Sequence, residues 1–199
     1  ETDVGLAHLT RNRMLTHLSL SGTKISDEGL KSLVRPPRLN QLWLNGLRIS
    51  GEGIRTLYSA KRLKRLGISD TPLPKGTLQM LDPIRLKHLK IRNARISEEE
   101  LEAIGELRSL ETLDLSNNPF LGPGLHHLAK LKSLVELDLS RTAVTDLDAP
   151  SLLEFPESLK TVDLSRARVS ESVAEKLRAS RRDWTIKTIK PVDIGADSQ

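Results

Sequence analysis

The 199-residue chain has no cysteine, and aromatic residues make up only 3% of it. Without thiols it can build neither a disulfide framework nor a cysteine-ligated zinc centre, and it has no thiolate nucleophile. So few aromatics leave little material for stacking unpaired bases. No run of 18 apolar residues occurs, so no segment reads as a transmembrane helix. The P-loop, GxGxxG, GxSxG and HExxH patterns are also missing. What remains is 29% charged and 37% hydrophobic, with a formal net charge of +5, a composition suited to one elongated core.

What the chain does have is a repeat. A Leu-x-x-Leu-x-Leu core starts at Leu15 and returns at Leu39, Leu63, Leu86, Leu110 and Leu134, then as LKTVDL at Leu159. Successive starts are 24, 24, 23, 24, 24 and 25 residues apart. A fixed period of this size predicts stacked units, each too small to bury its own apolar edge. In the first full copy, LTHLSLSGTKISDEGLKSL (Leu15–Leu33), Leu15, Leu18 and Leu20 fall on a short strand, and Thr23 and Ile25 complete the turn behind it. Ser26 then suits a helix N-cap. Asp27 and Glu28 sit where the helix dipole favours negative charge, and Leu30 and Leu33 share one face. The spacing predicts the same capping role for Ser50, Ser97, Thr145 and Ser170.

These residues resemble leucine-rich repeats of the roughly 24-residue class, the ribonuclease-inhibitor-like and cysteine-containing kind found in many bacterial arrays; TKISDEGLKSL is most similar to the latter. The resemblance covers about residues 2–180 and implies an α/β solenoid with a parallel concave sheet and short helices on the convex side. It also implies a non-enzymatic protein–protein interaction module. The lack of cysteine argues against the disulfide-capped extracellular receptors of animals, whereas a bacterial exported domain need not have cysteines. The position often held by Asn in the superfamily is here Thr23, Leu47, Thr71, Ala94, Asn118, Thr142 and Ala167. A continuous asparagine ladder is therefore excluded, and the backbone groups of that turn need other partners.

ETDVGLAHL (Glu1–Leu9) aligns with ISDEGLKSL (Ile25–Leu33), which leads us to expect a piece of a longer chain that starts inside a repeat. The expected organisation is an array over residues 1–180, a capping strand over 181–190 in which Trp184 lids the core, and a loose tail over 191–199. Pro72 and Pro74 predict a loop or single-turn helix on the convex side of the third copy, around Leu78–Leu81. NNPFLGPG (Asn117–Gly124) likewise replaces the capped start in the fifth, and TDLDAPSLLEFPES predicts an outward bulge in the sixth.

The variable strand positions that point away from the core should carry specificity. Near the centre they are basic: Lys64, Arg65, Lys87, His88 and Lys90, with Arg92 beside them. Towards the C-terminus they are acidic: Glu111, Asp114, Glu136, Asp138 and Asp163. Trp43 is predicted to face outward, either as a partner contact or packed on its own neighbours. The column Asp114, Asp138, Asp163 suggests a cation site. The simpler expectation is that Lys160, Arg141 and Arg166 neutralise it. His17 and His88 lie three repeats apart, about 14 Å by strand spacing, and His126 and His127 are adjacent on a predicted helix, so neither pair predicts a metal site. No nucleophile–base–orienter set is present.

The sequence thus predicts no catalytic residue, metal or cofactor, and a protein partner held on the concave face. Two alternatives stand beside it. Between Arg55 and Arg95 there are 11 Lys/Arg against Asp70 and Asp82, so this stripe can bind nucleic acid or another polyanion, although Lys61, Arg62 and Arg85 fall in loops where they simply solvate a surface. The third possibility is a passive spacer within a larger protein.

Overall fold

A computed structural model describes residues 2–34, 36–82, 84–119 and 122–189. The repeats become eight parallel three-residue strands, β1 (His17–Ser19), β2 (Gln41–Trp43), β3 (Arg65–Gly67), β4 (His88–Lys90), β5 (Thr112–Asp114), β6 (Glu136–Asp138), β7 (Thr161–Asp163) and β8 (Thr185–Lys187). They lie side by side in chain order in one sheet, each pair in the register set by the repeat. The central residue of every strand, from Leu18 through Leu113 to Ile186, points inward and is at most 6% exposed. Each such leucine contributes about 1.5–3 kcal/mol of burial. One continuous core therefore runs the length of the stack.

The chain leaves each of β1 to β7 through a turn that requires a left-handed residue. Gly22, Gly46, Asp70, Asn93, Asn117, Arg141 and Arg166 occupy it, one per repeat, with φ between 48° and 69°. Glycine, asparagine and aspartate suit this region; arginine does not. The N–H of each of these residues donates to a carbonyl of the next repeat, as Gly22 does to Asn45 and Arg141 to Ser165, both at 2.8–2.9 Å. The row commonly held by asparagine is served otherwise. Thr23 and Thr142 each donate to a carbonyl three residues back at 2.6 Å, and Thr71 donates to Leu44 and Ser69. Asn118 alone bridges backward with both ends of its amide, donating to Ile91 and Leu115 and accepting from the Ala94 N–H.

The convex wall is less regular than the sheet. Helices α1 (Asp3–Leu9), α2 (Asp27–Leu30), α3 (Gly51–Arg55), α4 (Glu98–Gly105) and α5 (Glu171–Ser180) are α-helical. Ser26, Ser50 and Ser170 cap α2, α3 and α5 through their side-chain oxygens. Ser97 does not: its hydroxyl donates to Glu99 at 2.6 Å. Thr145 donates to Asp148 at 2.7 Å and accepts from the Leu147 N–H at 3.3 Å, but the helix of that copy starts only at Ala149, after Asp148, so Thr145 is not its N-cap. Ser97 holds the N-cap position without the expected side-chain bond. In the third copy Pro72 and Pro74 remove donors, and the wall is reduced to a 3₁₀ turn at Leu78–Leu81. Gly122–Lys130 and Ala149–Glu154 are also 3₁₀, and Leu147 at the sixth-copy bulge is 92% exposed.

At the C-terminal end Trp184 is 6% exposed and joins the core. The Arg181 guanidinium lies 4.4 Å from its ring centre and donates to the carbonyls of Phe155 and Pro156, both at 3.1 Å, which holds ring and cation in place. The expected tail over 191–199 lies outside the described residues.

Candidate functional site

Alternation along three-residue strands leaves two outward columns. The first runs His17, Gln41, Arg65, His88, Thr112, Glu136, Thr161, Thr185; the second runs Ser19, Trp43, Gly67, Lys90, Asp114, Asp138, Asp163, Lys187. Together they floor an open groove of about 380 Å³ that reaches from Trp43 to Lys187.

Trp43 does not stand away from the sheet. Its register partner on β3 is Gly67, and a Cβ there would collide with ring carbons Cε3 and Cζ3 of the indole. The ring therefore lies down over Gly67, half-buried, and gives one end of the groove an apolar floor. Arg65 is exposed beside it.

The middle of the face is largely self-neutralised. Lys87 pairs with Glu111, and Lys90 Nζ is 3.4 Å from Asp114 Oδ2. The hydrogen bond from Lys87 holds the Glu111 carboxyl below its usual range. His88 bonds Thr112 on the next strand. Burial, and then the nearby Arg65 guanidinium, push the His88 imidazole below its ordinary value, so it is neutral at physiological pH.

The acidic column is built into the fold. Asp114 Oδ1 accepts from the backbone and hydroxyl of Ser116 at 3.0 and 2.7 Å, Asp138 Oδ1 from the Ser140 N–H at 2.8 Å, and Asp163 Oδ1 from the Ser165 N–H at 2.8 Å. Each carboxylate thus closes the turn that follows its strand. The cations expected to neutralise the column do not do so. Lys160 pairs with Asp183 at 2.6 Å, while Arg141 and Arg166 are exposed in the left-handed turns. What flanks the column instead is lysine at both ends, Lys90 on β4 and Lys187 on β8. Lys187 was missed in the sequence; the signal was a further 24-residue step from Asp163. Among the described residues no group of three or more His, Asp or Glu is placed to hold a metal ion, and no helix is long and apolar enough to cross a membrane.

Of the sequence-predicted residues, Trp43, Arg65, His88, Lys90, Asp114, Glu136, Asp138 and Asp163 come together around the groove. Lys64, Lys87 and Glu111 precede their strands by one residue and form its rim, with Lys64 donating to the Arg85 carbonyl at 3.1 Å. Arg92 sits in the turn after β4, where its N–H donates to Ser69, and is not part of the sheet face.

Two family models, described as Leucine Rich repeat and Leucine Rich Repeat, match residues 11–34 and 109–131. Compared with curated protein sequences, the chain matches none. Among solved structures it is similar to the crystal structure of an internalin (inlF) from Listeria monocytogenes, with a TM-score of 0.65 at 19% identity. That match covers 96% of this chain and 58% of the internalin, so the chain spans less than two thirds of that protein's length. At this identity the likeness concerns the fold.

Proposed function

Because the chain is an array of leucine-rich repeats, we propose that it is a protein-recognition module whose partner is held on the concave face. Leucine-rich repeats generally mediate protein–protein interaction and are typically not enzymes. The observation that carries the concave assignment is the distribution of uncompensated charge. The centre of the groove cancels itself across β4 and β5, leaving Arg65 beside Trp43 at one end and, at the other, Glu136 and Asp138 followed by Asp163, which faces Lys187 on β8. A partner that presents an acid near an apolar group and, some three strands or about 14 Å away, a basic cluster complements this face. Trp43, already laid flat over Gly67, offers contact area without having to be ordered on binding.

A photo-crosslinking residue at Glu136 on the concave face, compared with one at Lys176 on α5, tests the assignment directly. Crosslinks to a partner from position 136 alone are expected, and Trp43→Ala should reduce their yield while circular dichroism stays unchanged. Crosslinks from position 176 alone, or from neither position, would sink the concave reading.

A further inference from the structure

We propose that the edge of the solenoid formed by the turns that enter the strands is a second binding surface, independent of the concave groove, which holds the phosphodiester backbone of duplex nucleic acid without reading its sequence. Arg13, Arg38, Arg62, Arg85, Arg108 and Lys132 each precede the first residue of β1 through β6 by three or four positions, and all six are exposed. Because the strands are parallel and unslipped, these residues line one edge with one cation per strand, Arg38, Arg62 and Arg85 at one register position and Arg13, Arg108 and Lys132 one residue earlier. At strand spacing the row spans about 24 Å, the length of about seven base pairs of duplex. Lys61 thickens it beside Arg62.

The acids along this edge are few and partly spent. Glu106 is shared by Arg108 at 3.2 Å and Lys130 at 2.6 Å, and Asp82 borders Arg85 in a shallow depression. At β7 the row stops on Glu157.

Two features fit a phosphodiester backbone. Five of the six cations are arginine, whose planar fork meets phosphate oxygens two at a time. The row is also one charge wide except at Lys61, and the residues beside its cations include Met14, Pro37, Ser109 and Ser133. It thus carries no aromatic platform for unpaired bases and no band of apolar anchors for a lipid surface. The stripe between Arg55 and Arg95 does not share one place in the fold: Arg55 is on α3, Lys75 pairs with Glu99, and Lys64 and Lys87 rim the groove. Arg65 and Lys90 floor the groove, Arg92 and Arg95 follow β4, and only Arg62 and Arg85, with Lys61, belong to the row, which continues beyond the stripe in both directions.

The test is fluorescence anisotropy with a labelled 20-base-pair duplex in 20–200 mM salt. Arg38→Ser/Arg62→Ser/Arg85→Ser is compared with a concave set that removes the same charge, Arg65→Ser/Lys87→Ser/Lys90→Ser. Wild type should show a slope of log Kobs against log salt of about −4 to −5, and the edge variant should lose about 2.7 of it, at about 0.9 per phosphate contact. Its affinity at 100 mM salt should fall at least about tenfold, the concave variant should change by less than about threefold, and two unrelated duplex sequences should bind alike. The proposal fails if the concave set is as damaging as the edge set. It fails equally if duplex does not bind at 20 mM salt, whether or not vesicles of anionic lipid do. Retention of the Glu136 crosslink in the edge variant keeps this surface separable from the concave one.

Discussion

The two halves of the concave face carry opposite charge, and they hold it in different ways. In the acidic half, Asp114, Asp138 and Asp163 each commit one oxygen to the turn serine two residues on, so the charge is part of the backbone's own closure. In the basic half, Lys87 and Lys90 reach sideways to acids on the next strand, and Arg65 stands exposed. The acids are fixed by the fold, and the cations rest on it. An arriving partner would therefore meet a rigid negative pattern at one end and an adjustable positive one at the other.

The largest effect that bears on this contrast should come from removing the turn acids. The triple variant Asp114→Ala/Asp138→Ala/Asp163→Ala orphans a backbone N–H in each turn and should cost about 3 kcal/mol, at about 1 kcal/mol each, in urea denaturation. Arg65→Ala and Lys90→Ala should each stay within about 0.5 kcal/mol of wild type. Equal costs in the two halves would dissolve the distinction.

Next in size is Gly67→Ala. The added methyl lifts the Trp43 ring off β3, which should cost about 1–2 kcal/mol and shift the tryptophan emission to the red. An unshifted spectrum would mean that the indole does not lie where it is placed here.

A smaller effect is expected at the left-handed turns of the acidic half. Arg141→Gly should raise stability by about 0.5 kcal/mol, since φ at that position is 56° and glycine accepts it without strain. The same change at Asn93, a residue at ease in that region, should gain nothing.

The smallest effect is one of pH in the basic half. Folded His88 has its pKa lowered by burial and by Arg65, whereas in the unfolded chain it titrates near the ordinary value of 6.5. Its contribution is therefore complete above that value and declines as pH falls through the window beneath it, because the unfolded state takes up the proton first. Stability measured from pH 7 to 5 should show this decline, and His88→Gln should flatten it.

Much of this was legible in the sequence, because a strict repeat converts sequence position directly into spatial position. The phase of the leucines gave the strands, and the residues between them gave both columns of the face. The prolines at 72 and 74 marked where the convex wall thins to one turn. What escaped was whatever depends on side-chain direction. Asp138 was visible as one of a column, but its bond to Ser140 is a matter of turn geometry. Lys160 was near enough in sequence to seem its counter-ion, yet it turns to Asp183. Trp43 was expected outward, as a partner contact or packed on its neighbours, and the glycine at the matching position one repeat later held the information that the ring lies there. The cations proposed to line the edge come one from each of six repeats, a pattern that is not apparent when the stretch from Arg55 to Arg95 is read by itself.

Asn118 has one more consequence. It ties the turn after β4 to the turn after β5 with both ends of its amide, whereas Thr23 and Thr142 bond only within their own turns. In a one-dimensional stack, stability is distributed joint by joint. Hydrogen exchange should therefore be slowest near this joint, with the Ala94 amide among the last to exchange and those of the outer repeats among the first.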